Sequence, residues 1–172
     1  VIDDNPDLRF LICKILKEES YEIRSAANYD QAEKEIKKKL PDLAIIDIKL
    51  DKSDKDGMDL LKLIISIQPT TPVIMISGHA TVQIAVESIR LGAYEFIEKG
   101  TTFSTDKLLN YVARAIETAE LKKEKDIIEK KLFHSFDLIG SSQSILKVKK
   151  TIEKLSNSES RVLINGPTGT GK

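Results

Sequence analysis

The sequence predicts an α/β fold, a doubly wound parallel sheet of five strands in the order 2-1-3-4-5, followed by a helical segment and the opening of a second unit. Three observations carry this reading. Short apolar runs alternate with amphipathic ones up to about residue 118. The runs LAII, VIMI and YEFI are rich in β-branched or aromatic residues, as strands buried on both faces are. Each run also ends on residues able to carry chemistry: Asp3-Asp4 after VI, Asp47 after LAII, Ser77 after VIMI and Lys99 after YEFIE. A parallel sheet gathers those ends at one edge, where ligands bind.

Taken in order, the first strand leads into Asn5-Pro6, a cap with proline in the first turn, and the apolar spacing then predicts a helix to Glu19. YEIRS (Tyr21 to Ser25) alternates as a strand should. Asn28 followed by Gln31 resembles a capping box and opens a helix through Lys39, whose lysine-rich face is a solvated one; Pro41 ends it. Further helices are expected at Met58 to Ile67, Thr81 to Leu91 and from Thr105 onward. Right-handed crossovers leave few topologies for such a chain. A dinucleotide-binding domain is excluded because DDNPD, not a glycine-rich turn, follows the first strand.

The last of these helices has no clear stop. It runs through Leu109, Val112 and Ile116 into ETAELKKEKDIIEKKL, where Leu121, Ile128 and Leu132 form a thin apolar seam. That pattern predicts a helical linker able to pair with a copy of itself. A second unit then begins near Phe136, with a helical face at Ile145, Val148, Ile152 and Leu155 and a strand at RVLIN (Arg161 to Asn165). GPTGTGK follows at once. Gly166, Gly169, Gly171 and Lys172 fit a P-loop, whose backbone N–H groups cradle phosphate while the lysine reaches the outer phosphates. The expected boundaries are 1–117 for the first domain, 118–135 for the linker and 136–172 for the second unit.

Composition narrows the function classes. The chain has 172 residues, and 27 basic residues cancel 27 acidic ones, which gives no electrostatic case for nucleic acid or an anionic membrane. No apolar run approaches the ~20 residues of a membrane span. The single cysteine, Cys13, forms no internal disulfide and reads as a buried structural thiol, so a cytoplasmic location is expected. His79 and His134 lack partners at metal spacing, and DKSDKDG fails as a calcium loop because Lys52 and Leu63 would occupy its first and last positions. The chain opens on Val1 inside a strand and stops on Lys172 inside a motif, which is expected of a fragment.

Three carboxylates at one sheet edge repel, each pair by about 4 kcal/mol at ~4 Å and an effective dielectric of ~20. A hard cation makes the cluster sensible, and Mg²⁺ held by a few oxygens with positions open for phosphate fits it. The edge is suited to handling a phosphoryl group. A carboxylate can act as nucleophile toward phosphorus, and phosphoryl transfer otherwise needs positioning and positive charge.

VIDD, LAIIDIKL, VIMISGHA and AYEFIEKG, in this order and spacing, resemble the receiver domains of two-component response regulators. GSSQSILKVKKTIEKL with RVLINGPTGTGK resembles the start of the AAA+ domain of sigma-54-type activators; together they look like the NtrC class, and within it the NtrX subgroup. The resemblance implies a flavodoxin-like fold and Asp47 as phosphoacceptor. It implies Asp4 as a direct Mg²⁺ ligand, Asp3 acting through water, and the Lys49 backbone carbonyl as a further ligand. Ser77 and Lys99 would contact the phosphoryl oxygens, and Phe96 would be the aromatic switch. Implied partners are a sensor histidine kinase and a second copy of the chain; DNA and sigma-54 RNA polymerase would be met only through domains absent from this chain, ATP would bind only in the full-length parent, and no membrane partner is expected. Gly100 stands where the family usually has proline, which casts doubt on the usual cis peptide and predicts a looser Lys99. The alternative function is a P-loop ATPase whose front domain is a scaffold. Against it, this sequence contains no Walker B acid, no sensor arginine and no helix-turn-helix, so no enzymatic turnover is expected of the chain itself.

Overall fold

The computed structural model describes residues 1–50, 55–78, 81–100, 103–135, 140–155, 161–163 and 165, with backbone only for 130–135. Contacts divide the chain into two units, 1–126 and 127–172. The first holds α1 (Pro6–Glu18), α2 (Tyr29–Lys38), β1 (Ala44–Asp47), α3 (Gly57–Ile67), β2 (Val73–Ser77), α4 (Val82–Arg90), β3 (Glu95–Glu98) and most of α5 (Thr105–Ser135); α6 (Gln143–Leu155) belongs to the second.

Local chemistry explains the helix starts. Asn5 Oδ1 accepts from the Asp7 and Leu8 amides, and Pro6 needs no partner for a missing N–H. Asn28 Oδ1 accepts from the Gln31 amide at 3.0 Å, and the Gln31 side chain accepts in return from Ala27, one residue earlier than a strict capping box would have it. Asp56 and Asp59 make a true capping box at the head of α3.

β1, β2 and β3 form a parallel sheet in that order, with Asp47 opposite Ile76 and Ser77 opposite Glu98. These are the expected third, fourth and fifth strands. The first two expected strands are not ladders: among the described residues three strands form, not five. Ile2 makes one parallel bridge to Ala26 and one to Ile46. The Val1–Asp3 stretch pairs only briefly: Arg24 O accepts from the Val1 ammonium at 2.8 Å and the Ala26 amide donates to Val1 O at 3.0 Å, and Tyr21 to Ser25 is not assigned as a strand.

Successive residues of a strand point to opposite faces, and the core divides accordingly. Ile45, Ile74, Ile76 and Ile97 pack with Ile12 and Leu16 of α1 and Leu108 and Val112 of α5. Ile46, Val73 and Met75 pack with α2 and α3 through Ala32, Ile36, Leu60, Leu61 and Ile64. The sheet is therefore covered on both sides, which is why its strands lack polar alternation. Cys13 is half-buried, more open than the sequence suggested.

Two surfaces stay apolar and uncovered. On α4 only Ser88 is buried, and Val82 is 81% exposed with Val86 and Ile89 beside it. Along α5, Leu108, Val112, Ala115 and Ala119 are buried, whereas Leu121, Ile127 and Ile128 face outward. Lys123 pairs with Asp42 at 3.3 Å, so the helix stays tied to its domain past Ala119. In the second unit α6 has no buried residue, and 161–163 and 165 form no strand although one was expected at RVLIN. A strand needs a neighbour to satisfy its backbone, and among the described residues of this unit there is none. No helix among the described residues is long and apolar enough to cross a membrane.

Candidate functional site: an acidic pocket at the strand ends

Backbone pairing sets the level of each functional residue at the C-terminal edge. The Asp47 amide donates to Ile2 O at 2.8 Å, the Asp3 amide to Ala26 O at 3.2 Å, and the Lys99 amide to Ser77 O at 2.7 Å. Gly57 secures the strand end from the other side, its amide donating to Ile48 O at 2.8 Å. A Cβ at Gly57 would lie 2.0 Å from the Asp47 carbonyl oxygen, so only glycine lets α3 come this close. The sequence reading took this glycine only as part of a failed calcium loop; its position at the head of a capped apolar helix was the available signal.

The edge brings together Asp3, Asp4, Asp47 and Lys99. One oxygen from each of the three carboxylates lies within 4.8 Å of the others. Asp3 and Asp47 are buried, Asp4 half-buried. Lys99 Nζ donates to Asp47 Oδ2 at 2.5 Å and pairs with Asp3 Oδ2 at 2.9 Å, while the Asn5 amide donates to Asp3 Oδ1 at 2.9 Å. Glycine after the lysine does not loosen it: Gly100 turns at φ +148°, its carbonyl accepts from Phe103 N–H at 3.0 Å, and Phe103 packs into the core. No cis peptide occurs among the described residues.

Burial pushes the Asp47 carboxyl above the ordinary carboxylate value, helped by the charges of Asp3 and Asp4 and opposed by the hydrogen bond and charge of Lys99. For Lys99, burial acts downward, but the hydrogen bonds and charges of Asp47 and Asp3 together hold the ammonium above the ordinary lysine value. The pocket thus keeps its internal cation charged while one carboxylate is reluctant to ionise. Oxygen donors at this spacing suit a hard divalent ion that retains part of its water shell, so the residues present fit Mg²⁺.

The remaining predicted residues divide. Ser77 is buried at the end of β2, level with Glu98 of β3. Phe96 is half-buried on β3, opposite Met75, and lines a groove with Thr81 and Val82 of α4 and Lys107 and Tyr111 of α5. Lys49 is exposed just past β1. Gly166, Gly169, Gly171 and Lys172 of the expected P-loop lie outside the described residues, as does His79.

The family model described as the response regulator receiver domain matches residues 1–113. The chain belongs to the response regulator receiver family. A second model, the sigma-54 interaction domain, matches residues 138–172. An NtrX-like response regulator of Rickettsia bellii is 41% identical over 172 residues, which are 100% of this chain and 36% of that protein. The chain thus spans about a third of the length of such curated relatives, and its receiver domain is a regulatory module. Among solved structures, the receiver domain of NtrX from Brucella abortus is 44% identical, with a TM-score of 0.64, over 68% of this chain and 96% of that one. A beryllofluoride-activated NtrC4 receiver domain dimer is 34% identical, TM-score 0.63, over 69% of this chain and 94% of that one.

The electrostatics of the receiver pocket give a test. A raised Asp47 carboxyl binds its proton more tightly folded than unfolded, so stability falls as pH rises from the unfolded toward the folded value. The raised Lys99 ammonium contributes stability that is complete below the ordinary lysine value and lost as pH rises through its folded value. Lys99→Met, which leaves two buried carboxylates without their cation, is expected to cost about 3 kcal/mol at neutral pH without Mg²⁺. The loss should shrink in acid, where Asp47 takes up its proton. Urea unfolding at pH 7 and pH 4.5 measures both.

Proposed function

We propose that the chain is a phosphorylation-dependent switch in which Asp47 accepts a phosphoryl group from a sensor histidine kinase. The observation that carries this is the half-buried Lys99 ammonium 2.5 Å from the buried Asp47 carboxylate, inside a cluster that also offers Asp3 and Asp4. An Asp47 carboxylate oxygen forms the new bond to phosphorus as the bond from phosphorus to the donor's histidine nitrogen breaks, and the electron pair stays on that nitrogen; the donor ring, protonated at its other nitrogen, leaves as neutral imidazole. Asp4, Asp3, Asp47 and the Lys49 carbonyl would hold Mg²⁺, which when bound supplies positive charge to offset two anions meeting in line. Lys99, freed from Asp47, pairs with the phosphoryl oxygens, and Ser77 donates to them.

The readout runs through Phe96. Movement of Ser77 toward the phosphoryl group opens space into which Phe96 turns, and the groove beside it, about 420 Å³, lies between α4 and α5. The surface from Thr81 to Ile116 changes with it. Exposed Val82, Val86 and Ile89 make the α4 face a surface for a second copy, in line with the dimer of the NtrC4 receiver, and the Leu121 to Leu132 helix is a second place for self-pairing.

The wider reading extends this. Residues 1–117 form the receiver, 118–135 a helical linker, and 136–172 the start of an AAA+ domain; the bridges of Ile2 to Ala26 and Ile46 support a five-stranded order 2-1-3-4-5. The parent would act in the cytoplasm as a transcription activator, binding ATP through GPTGTGK and reaching DNA and sigma-54 RNA polymerase through parts outside this chain. This chain itself does not turn over ATP.

Incubation with a small acyl phosphate and Mg²⁺ should add one hydroxylamine-labile phosphate by intact mass, and Asp47→Asn should take up none; equal labelling of the variant would place the acceptor elsewhere. Light scattering addresses the second copy. A chain ending at Phe133 should associate more than one ending at Ala115, and a phosphoryl analogue should strengthen association in both; two chains that stay monomeric throughout would rule out the dimer.

A further inference from the structure

Asp4 is the member of the acidic pocket whose carboxylate nothing grips. Asp3 is held at one oxygen by the Asn5 amide and at the other by Lys99, and Asp47 is held by Lys99. Among the described residues no hydrogen bond or ion pair restrains the Asp4 side chain, so its aim depends on the direction in which its backbone points the Cα–Cβ bond.

That backbone is held by one side chain. Arg9, in the first turns of α1, reaches back over the strand end, and its Nη1 donates to the Asp3 carbonyl at 2.5 Å and, over a longer contact of 3.4 Å, to the Asp4 carbonyl. Neither carbonyl accepts a backbone N–H among the described residues. Strand pairing ends with the Asp3 amide on Ala26 O, and the helix starts with the Arg9 amide on Asn5 O. The two carbonyls belong to the two peptide units that flank Asp4. A half-buried guanidinium, planar and always charged, therefore fixes both peptide planes and with them the Asp4 Cβ.

We propose that Arg9 is a positioning residue for the divalent cation of the acidic pocket. It keeps the Asp4 carboxylate aimed into the cluster through the backbone and touches neither the cation nor the phosphoryl group. This rests on the reading of Asp3, Asp4 and Asp47 as a Mg²⁺ site. Charge alone acts in the opposite direction: removing a guanidinium close to three carboxylates would by itself tighten binding of a cation. Weaker binding is therefore a signature of positioning that loss of a nearby charge does not produce.

The test is calorimetric titration of the whole chain with Mg²⁺ alone, comparing the parent with Arg9→Gln, Arg9→Lys and Asp4→Ala, each checked for folding by circular dichroism. Arg9→Gln should raise the half-saturating Mg²⁺ concentration about tenfold, as loss of a group behind a metal ligand does. Arg9→Lys, which keeps the charge but loses the planar, rigid guanidinium that holds both carbonyls, should fall between Arg9→Gln and the parent. Arg9→Gln binding Mg²⁺ as tightly as the parent or more tightly, while Asp4→Ala loses binding, overturns the role of Arg9 and leaves the pocket in place. Should Arg9→Gln not fold, Arg9→Lys decides: parental half-saturation there overturns the proposal. Parental binding in Asp4→Ala removes the site reading and this inference with it.

Discussion

The Lys99 ammonium lies between two buried carboxylates, and the acidic edge of the sheet depends on it. Asp3 and Asp47 would otherwise face each other, with Asp4 beside them, in surroundings that penalise ionised groups. The lysine itself is delivered by β3, which is held level with the other strand ends by its ladder to β2 and by the Lys99 amide on Ser77 O. Sheet register thus becomes pocket geometry: a strand slipped by one residue would turn Asp47 or Lys99 to the opposite face. The close approach of Gly57 to the Asp47 carbonyl fixes the same strand end from the helical side.

The pocket and the uncovered α4–α5 side share β3. Phe96 and Lys99 sit three residues apart on and just beyond this strand, one lining the groove toward α4 and α5 and the other in the acidic pocket. Any event that draws Lys99 or Ser77 toward a new anion is therefore felt by the strand that carries Phe96. The apolar side chains left outside on α4 and along α5 have a cost unless something covers them.

Much of this was legible in the sequence because burial on both faces leaves a strong mark. LAII and VIMI read as interior strands and YEFI as their edge partner, only partly buried in the fold, and the residues that follow all three share an edge. Caps at Asn5 and Asn28 announced two helices through their side-chain oxygens. Less was visible where pairing depends on a neighbour: Tyr21 to Ser25 alternates as a strand but has only the short Val1–Asp3 stretch alongside, and RVLIN has no partner among the described residues. The contacts of Arg9 left no sequence signal, since an arginine on an exposed-looking helix face reads as a solvated charge until its guanidinium is seen on the Asp3 carbonyl. At Gly100 the doubt about a cis peptide agrees with the described residues, where none occurs, and the glycine adopts a positive φ.

The central claim is that Lys99 stays charged because Asp47 and Asp3 hold it, and the most direct measurement follows its Nζ by NMR through an alkaline titration in the absence of Mg²⁺. The account predicts that Lys99 keeps its proton to a higher pH than the exposed lysines of the same chain, and that Asp47→Asn removes much of that difference. Deprotonation of Lys99 at or below the pH at which the exposed lysines titrate would mean that burial outweighs the carboxylates, and would contradict it.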